Sequence, residues 1–197
     1  MTEKEILNLI QADKWMMRVL LTASSLNLKD WAVGAGFVRN KVWDYLSGKT
    51  RETVDTNDID LVYFDPNGNN EEADKELSKE MLTRTGLDWE IVNQCYAHKW
   101  NNVPPYKSTK DAIAHWPETV TAIGVTIDKN NKLKLIAPYG IGDLVHFIVR
   151  LSPKFEGGSG VLQERVRKKQ WLEKWPGLKI VNEGARPEGP APSINSV

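Results

Sequence analysis

One nine-residue run, Asn57-Asp58-Ile59-Asp60-Leu61-Val62-Tyr63-Phe64-Asp65, carries the strongest structural signal of the chain. Its β-branched and aromatic residues predict a strand, and turn-forming residues at 65–68 predict where the strand ends. Side chains alternate between the two faces of a strand, so Asp58 and Asp60 project from one face, roughly 6–7 Å apart. Carboxylates at this spacing suit Mg²⁺ or Mn²⁺. The alternative is a solvated strand face without a ligand, because acids are common on such faces.

The composition of the 197-residue chain narrows the classes of function. Hydrophobic residues make up 41%, which is enough for the core of one ordinary domain, and 26 basic side chains balance 26 acidic ones. A protein dedicated to long nucleic acids usually carries a basic excess, so that partner is disfavoured. The single cysteine, Cys95, cannot form an internal disulfide and fits a reducing compartment. The charged N-terminus and the lack of a membrane-spanning apolar run favour a cytoplasmic protein with no membrane partner.

The periodicity of the chain predicts a single domain over residues 1–183 and a flexible proline- and glycine-rich tail at 184–197. The domain begins with a helix over 1–23 and ends with an amphipathic helix over 160–176. We expect the basic residues of that last helix to be solvated, and most of the eight tryptophans to lie in the core. Between these ends the sequence predicts a helix over 70–84 with Leu82 on its inner side, a helix over 109–116, a hairpin of 121–127 with 132–137, and a helix over 141–149.

A glycine-containing corner precedes the acidic run. Residues 31–34 predict a short buried strand, Gly34-Ala35-Gly36 predicts a corner, and residues 37–46 predict a helix. Unpaired N–H groups at the start of such a helix can bind phosphate. Arg39 and Lys41 lie in the first helical turn, where cations oppose the helix dipole, so a phosphate partner would account for them. The alternative is a plain strand-to-helix turn with solvated basic residues.

A third carboxylate is available on a later strand. Residues 87–93 alternate like a half-buried strand, with Asp88 and Glu90 on one face. If this strand pairs beside the acidic run, Glu90 completes a metal site, and Asp88 is the rival on the same face. His98 follows this strand; it could act as an acid or base or contact phosphate, or it could be structural.

Longer segments resemble a known family. These segments are Ala35-Gly36-Phe37-Val38-Arg39-Asn40-Lys41-Val42-Trp43-Asp44, residues 58–65, Asn93-Gln94 with His98 and Trp100, Trp116-Pro117-Glu118-Thr119 with Ala122-Ile123-Gly124-Val125, and Ala137-Pro138-Tyr139-Gly140. Together they are similar to a bacterial nucleotidyltransferase-like family, formerly a domain of unknown function, within the polymerase-β-like nucleotidyltransferase superfamily. The resemblance extends from about Trp31 to Val181.

The resemblance implies an α+β fold in which helices flank a mixed β-sheet. It makes Asp58 and Asp60 the metal-binding and catalytic pair and Glu90 the third carboxylate. It places the nucleotide near Gly34, Gly36, Arg39 and Asn40, with Asn93 and His98 as accessory residues. The chain departs from the superfamily's usual Gly-Gly or Gly-Ser pair, because Gly34-Ala35-Gly36 offers no serine hydroxyl to a phosphate.

The function implied by the resemblance is metal-dependent nucleotidyl transfer. A nucleoside triphosphate would be the donor, Mg²⁺ or Mn²⁺ the cofactor, and a hydroxyl of an unidentified acceptor the attacking group, with pyrophosphate released. The alternative is a non-catalytic nucleotide-sensing or protein-interaction module that keeps the fold. A metal-dependent phosphohydrolase fits less well, because the sequence shows no His/Asp cluster of that kind.

Overall fold

The computed structural model describes residues 1–49, 58–68, 70–155 and 159–181. Its elements follow one another in this order: α1 (Glu3–Ala12), α2 (Lys14–Ser24), β1 (Trp31–Gly34), α3 (Gly36–Leu46), β2 (Ile59–Tyr63), α4 (Glu71–Thr85), β3 (Trp89–Asn93), α5 (Gln94–Ala97), α6 (Thr109–Ile113), β4 (Gly124–Ile127), β5 (Leu133–Ile136), α7 (Gly142–Val145), β6 (Ile148–Val149), α8 (Ser159–Lys168), α9 (Trp171–Lys174) and β7 (Lys179–Ile180).

The main sheet is mixed and has the strand order β3-β2-β1-β4-β5. Strands β2 and β3 are parallel, whereas β1 is antiparallel to both of its neighbours and β4 is antiparallel to β5. A parallel pair needs a crossover, and the 15-residue helix α4 supplies it. The register of β2 and β3 sets Asp60 beside Glu90. The expected α+β fold, a mixed sheet flanked by helices, is confirmed.

The two faces of this sheet differ. On one face, apolar side chains such as Val33, Leu61 and Ile91 join the largest core cluster together with residues of α1 to α4. On the other face, Ala32 and Val62 pack against the segment around Ile113. Because side chains alternate along β2, the face opposite Leu61 also carries Asp60, and there the strands project carboxylates instead of core residues.

The predicted N-terminal helix over 1–23 is two helices in the structure. Asp13 ends α1, and its side chain accepts hydrogen bonds from the backbone N–H groups of Trp15 and Met16 at 2.9 and 3.0 Å. An aspartate that caps a new helix in this way breaks the continuous periodicity on which the prediction rested. The pair buries Ile6, Ile10 and other apolar residues against the sheet.

Left-handed residues break two other predicted helices. The segment 141–149 forms the short helix α7 and then strand β6, because Phe147 has a φ of +58°. Strand β6 pairs with β7 in a second, two-stranded sheet. The helix expected over 160–176 divides into α8 and α9 at Gln170, which has a φ of +52°.

Leu82 was predicted on the inner side of α4 but is 47% exposed. Residues 184–197 and Asn57 lie outside the described residues.

Tryptophans join the C-terminal elements to α3. The ring of Trp43 lies edge-on to those of Trp171 and Trp175, with centroid distances of 5.7 and 5.0 Å. The indole N–H of Trp175 donates to Asp44 at 2.9 Å, and the indole N–H of Trp43 donates to a backbone carbonyl at 3.1 Å. These contacts hold α9 against α3. Among the described helices, none has the length and apolar character needed to cross a membrane.

Candidate functional site

Three carboxylates converge at β2 and β3, on the sheet face opposite Leu61. One carboxylate oxygen from each of Asp58, Asp60 and Glu90 lies within 4.8 Å of the other two. Asp58 and Asp60 are partly buried and Glu90 is exposed. The parallel pairing of β2 with β3 produces this convergence, because it sets Asp60 directly beside Glu90. Asp88 is on the same strand face but does not belong to this cluster among the described residues.

The cluster is electrostatically unfavourable without a cation. Burial, followed by the negative charges of Asp58 and Glu90, raises the pKa of Asp60 to about 7. Burial and the charge of Asp58 also raise the pKa of Glu90. Three hard oxygen donors that repel one another fit a divalent cation of the Mg²⁺ or Mn²⁺ type, whose charge would remove the repulsion.

A basic cleft of about 390 Å³ opens on one side of the carboxylates. Asp58 lies on its wall with the start of α3, and α8, α9 and their connection supply the opposite wall. The cationic lining residues are Arg39, Lys168, Lys169 and Lys174. Lys169 faces the carboxylates, since its charge lowers the pKa of both Asp60 and Glu90. The predicted solvation of these basic residues holds for Lys168 and Lys169, whose side chains are exposed, and both also line this cleft.

The start of α3 lies in the basic cleft without a side-chain cap. Ala35 is the N-cap residue and makes no side-chain hydrogen bond, and Gly36 lines the cleft. The backbone of Ala35 has φ +52° and ψ −120°, a conformation that strongly favours glycine. The first N–H groups of a helix can bind an anion, and Gly36 brings the start of α3 to the cleft.

Gly34 has a packing role that the sequence did not show. A Cβ atom at this position would come within 2.7 Å of the Trp116 ring and 2.9 Å of the carbonyl oxygen of Ile123. Such contacts are too short for any side chain, so glycine is required there for packing. Gly34 does not line the basic cleft, whereas Gly36 does.

Arg39 is almost fully buried at the base of the cleft, with 4% of its surface exposed. Its guanidinium lies 4.5 Å from the ring centroid of Trp171, and its Nη1 donates to the Thr121 hydroxyl at 2.6 Å. Burial lowers the pKa of Arg39 to about 10, so it stays cationic at neutral pH. The other cation of the first helical turn, Lys41, pairs with Asp13 at 2.6 Å. The phosphate partner proposed for Lys41 is thus replaced by an internal ion pair.

The remaining predicted residues lie at three different places. Asn40 lines the basic cleft and its Oδ1 accepts from Arg39 at 3.2 Å. Asn93 is fully buried, and its side chain bonds the backbone of Asp65 and Cys95. His98 packs edge-on against Tyr106 with a centroid distance of 6.1 Å and does not line the basic cleft. In the described part of the chain its buried Nδ1 has no hydrogen-bond partner.

A buried ion pair holds α8 against the site. Glu118 has no exposed surface, and its carboxylate accepts from Arg165 Nε at 2.5 Å and from Nη2 at 3.3 Å. Glu118 lies one turn before Thr121, which receives the Arg39 hydrogen bond. Lys168 of α8 and Lys169, which follows it, are thus positioned by long-range contacts. In the sequence, the run of basic residues before two tryptophans was the signal that could have indicated them.

A second, acidic cleft of about 570 Å³ adjoins the carboxylates. Asp58 lines both clefts, and Glu90 lines this one. Its walls are formed by α4, β3 and the residues that follow β3, including Tyr96 and the 56% exposed Trp100. The carboxylate cluster therefore lies where the two clefts meet.

Comparison with known proteins agrees with this geometry. A family model described as nucleotidyltransferase matches residues 21–180. A structure solved by NMR and described as a CCA-adding enzyme head domain is 34% identical, with a TM-score of 0.81, and the match covers 92% of this chain and 96% of that one. A comparison with curated protein sequences gives no match.

Two longer enzymes share the fold at low identity. A CCA-adding enzyme in complex with CTP is 17% identical, with a TM-score of 0.54, over 92% of this chain and 42% of that chain. A tRNA-processing enzyme in an apo form is 19% identical, with a TM-score of 0.50, over 84% of this chain and 42% of that chain. This chain thus spans less than half of their length. The family match and the NMR relative both extend over most of the chain, which therefore belongs to the nucleotidyltransferase family of enzymes, within the polymerase-β-like superfamily.

Proposed function

We propose that this chain uses Mg²⁺ or Mn²⁺ to transfer a nucleoside monophosphate from a nucleoside triphosphate to an acceptor hydroxyl, with release of pyrophosphate. The observation that carries the proposal is the convergence of Asp58, Asp60 and Glu90 within 4.8 Å where the basic and acidic clefts meet. A donor and an acceptor can then reach the same carboxylates through two different clefts.

The basic cleft suits the triphosphate. Lys168, Lys169 and Lys174 provide cationic groups, and the uncapped start of α3 provides backbone N–H donors. Arg39 contributes a fixed positive charge at the base, held by Thr121 and Trp171. Gly36 and Asn40 complete that wall. A CCA-adding enzyme of the same fold has been solved with CTP, which supports a nucleoside triphosphate as donor here.

The carboxylates would hold the cation and align the acceptor. When bound, a divalent cation supplies positive charge to the α-phosphate and lowers the pKa of the attacking hydroxyl. The residues of the chain fix the positions of the reacting groups: the basic cleft holds the pyrophosphate part of the donor, and the carboxylate cluster orients the acceptor oxygen opposite to it. The hydroxyl proton would pass to a carboxylate of the cluster or to water.

Isothermal titration calorimetry tests the donor site. Each of the four nucleoside triphosphates is titrated in the presence of Mn²⁺ into wild type, Asp58→Asn/Asp60→Asn and the control Asp88→Asn, which changes a carboxylate outside the cluster. We expect metal-dependent binding in the wild type and in the control, and loss of binding in the double variant. Circular dichroism checks that all three proteins are folded.

Two results would count against the proposal. Equal binding by the double variant would remove the carboxylates from the site, and no binding of any triphosphate by the folded wild type would overturn donor binding. Tight binding without pyrophosphate release, across a broad set of hydroxyl acceptors, would instead support the non-catalytic nucleotide-sensing module.

A further inference from the structure

We propose that the acidic cleft binds the acceptor and that the acceptor is a small cationic compound, one that carries amino groups beside its reactive hydroxyl. This inference rests on the proposed nucleotidyl transfer and specifies its acceptor. It starts from the position of the cleft, which shares Asp58 with the basic cleft and includes Glu90 in its wall. In an in-line displacement the acceptor approaches opposite the leaving pyrophosphate, so a donor held in the basic cleft leaves the acidic cleft for the acceptor.

The charge of the acidic cleft favours a cation. Apart from the cluster carboxylates Asp58 and Glu90, which a metal ion would neutralise, the wall carries four more acidic side chains and two lysines. The four acids are Glu71, Glu72, Glu76 and Asp88. A surplus of carboxylates raises the local concentration of a positively charged ligand and repels a negative one.

The two lysines of this cleft offset only part of the surplus, and an excess of two acidic side chains remains. Lys75 lies 2.8 Å from Glu71 and Lys79 lies 2.7 Å from Glu76, so each already neutralises a neighbouring glutamate on α4. A nucleic-acid strand needs unopposed cations for its phosphates. Among the described lining residues of the cleft, the cations are these two lysines, and both are paired with glutamates. A polyanionic acceptor is therefore disfavoured on this side of the site.

Aromatic side chains make the cleft suitable for a small ring compound. Trp100 is 56% exposed and lies edge-on to Tyr96, with a centroid distance of 5.5 Å. Tyr96 is held in place because its hydroxyl donates to the buried Asp74 at 2.8 Å. An exposed indole beside carboxylates can contact both an alkylammonium group and an apolar ring face. The volume of about 570 Å³ is within the range of small-ligand sites.

The proposed reaction balances with the donor alone. The acceptor oxygen forms a bond to the α-phosphorus, and the bond from that phosphorus to the α–β bridging oxygen breaks. Pyrophosphate leaves with the electron pair of the broken bond, and the hydroxyl proton passes to a carboxylate or to water. The amino groups of the acceptor stay protonated and take no part, so their role is binding through the acidic wall.

The test compares matched acceptors with the whole 197-residue chain. The wild type is incubated with Mg²⁺, α-phosphate-labelled nucleoside triphosphates and one of three probes: a four-amine aminocyclitol glycoside, its fully N-acetylated neutral form, or a short RNA ending in CC. We expect label on the amine compound, at least roughly tenfold less on the acetylated form, and no label on RNA. Label on RNA, or equal label on both glycoside forms, overturns the proposal.

Variants distinguish this proposal from donor binding. Glu72→Gln/Glu76→Gln removes two carboxylates of the acidic cleft, and Glu3→Gln/Glu80→Gln removes two exposed carboxylates outside both clefts. We expect the first pair to raise the KM for the amine compound roughly tenfold with kcat and triphosphate affinity unchanged, and the control pair to change none of them. Intact triphosphate binding with no label on the amine compound overturns the acceptor assignment alone. Loss of triphosphate binding by the wild type overturns the proposed function itself.

Discussion

Asp60 connects the stability of this protein to its chemistry. The pKa of Asp60 is about 7, against an ordinary value of 3.8, because the carboxyl is buried beside Asp58 and Glu90. A carboxyl whose pKa is raised by folding binds its proton more tightly in the folded state. The resulting destabilisation is absent below about pH 4, grows as the pH rises, and is complete above about pH 7.

Asp60→Asn should therefore stabilise the metal-free protein at pH 8. A shift of this size corresponds to a free energy on the order of 4 kcal/mol, and the gain should disappear near pH 4. Thermal denaturation in the presence of a chelator, followed from about pH 4 to about pH 8, measures the gain at pH 8 and its loss near pH 4. Mn²⁺ should raise the Tm of the wild type and leave that of the variant unchanged. An equal gain at both pH values would show that packing, and not charge, is responsible.

Ala35 offers a second test at a single residue. Its φ of +52° with ψ −120° forces the Cβ against the preceding carbonyl, which costs an L-residue free energy that glycine avoids. We expect Ala35→Gly to raise the free energy of unfolding by about 1 kcal/mol in urea denaturation, with the triphosphate site intact. Ala32→Gly in the neighbouring strand is the contrasting variant and should destabilise. A destabilised Ala35→Gly protein would mean that the strain at this corner is relieved by other contacts.

At the scale of elements, the ion pair of Glu118 and Arg165 determines where α8 lies. The carboxylate is fully buried and Arg165 is partly exposed, so the loss of one partner is less costly than in a fully buried pair. We expect Glu118→Gln to lower the free energy of unfolding by about 2 kcal/mol and to weaken triphosphate binding. Glu164→Gln, an exposed change on the same helix, should alter neither. If Glu118→Gln is destabilised but binds triphosphate normally, the ion pair is not needed to position α8 for binding.

Two basic residues at the end of α8 and just after it should differ in function. Lys169 lines the basic cleft, whereas Arg167 lies in a separate groove with Val166 and Leu172. Lys169→Ala should weaken triphosphate binding roughly tenfold, the loss of one charge-assisted contact, and Arg167→Ala should not change it. Calorimetry with the nucleotide chosen by the wild type measures both. Equal losses would indicate a general effect of positive charge instead of a specific contact.

The elements also show what the sequence could predict. Strand β2 and its acid pair were predictable because alternation is a local property, and β3 with Glu90 was predictable because two strands joined by a helix pair in parallel. The position of Lys169 in the basic cleft was not predictable, because it depends on a distant ion pair and on the packing of Trp171 against Trp43. The split at Asp13 was missed because its capping role interrupts a periodicity that otherwise continues.

For the whole molecule, the decisive property is that the C-terminal elements share the core of the sheet. Leu162, Val166, Trp171 and Trp175 belong to the same buried cluster as Leu61 and Val33. A segment that shares a core with the sheet should not open separately from it, since opening would expose both surfaces. We therefore predict that the described part of the chain unfolds as one cooperative unit, with the basic cleft formed before a nucleotide binds.

Native-state hydrogen exchange tests this cooperativity at two amides. The Lys169 amide is bonded to the carbonyl of Arg165 at the end of α8, and the Leu61 amide lies in the centre of the sheet. Trp171→Ala should lower the opening free energy of both by the same amount, about 3–5 kcal/mol for a buried aromatic truncation, and the exposed Leu172→Ala should lower neither measurably. If only the Lys169 amide loses protection, α8 and α9 open independently of the sheet. The basic cleft would then form on nucleotide binding, and triphosphate affinity would include the free energy of that closure.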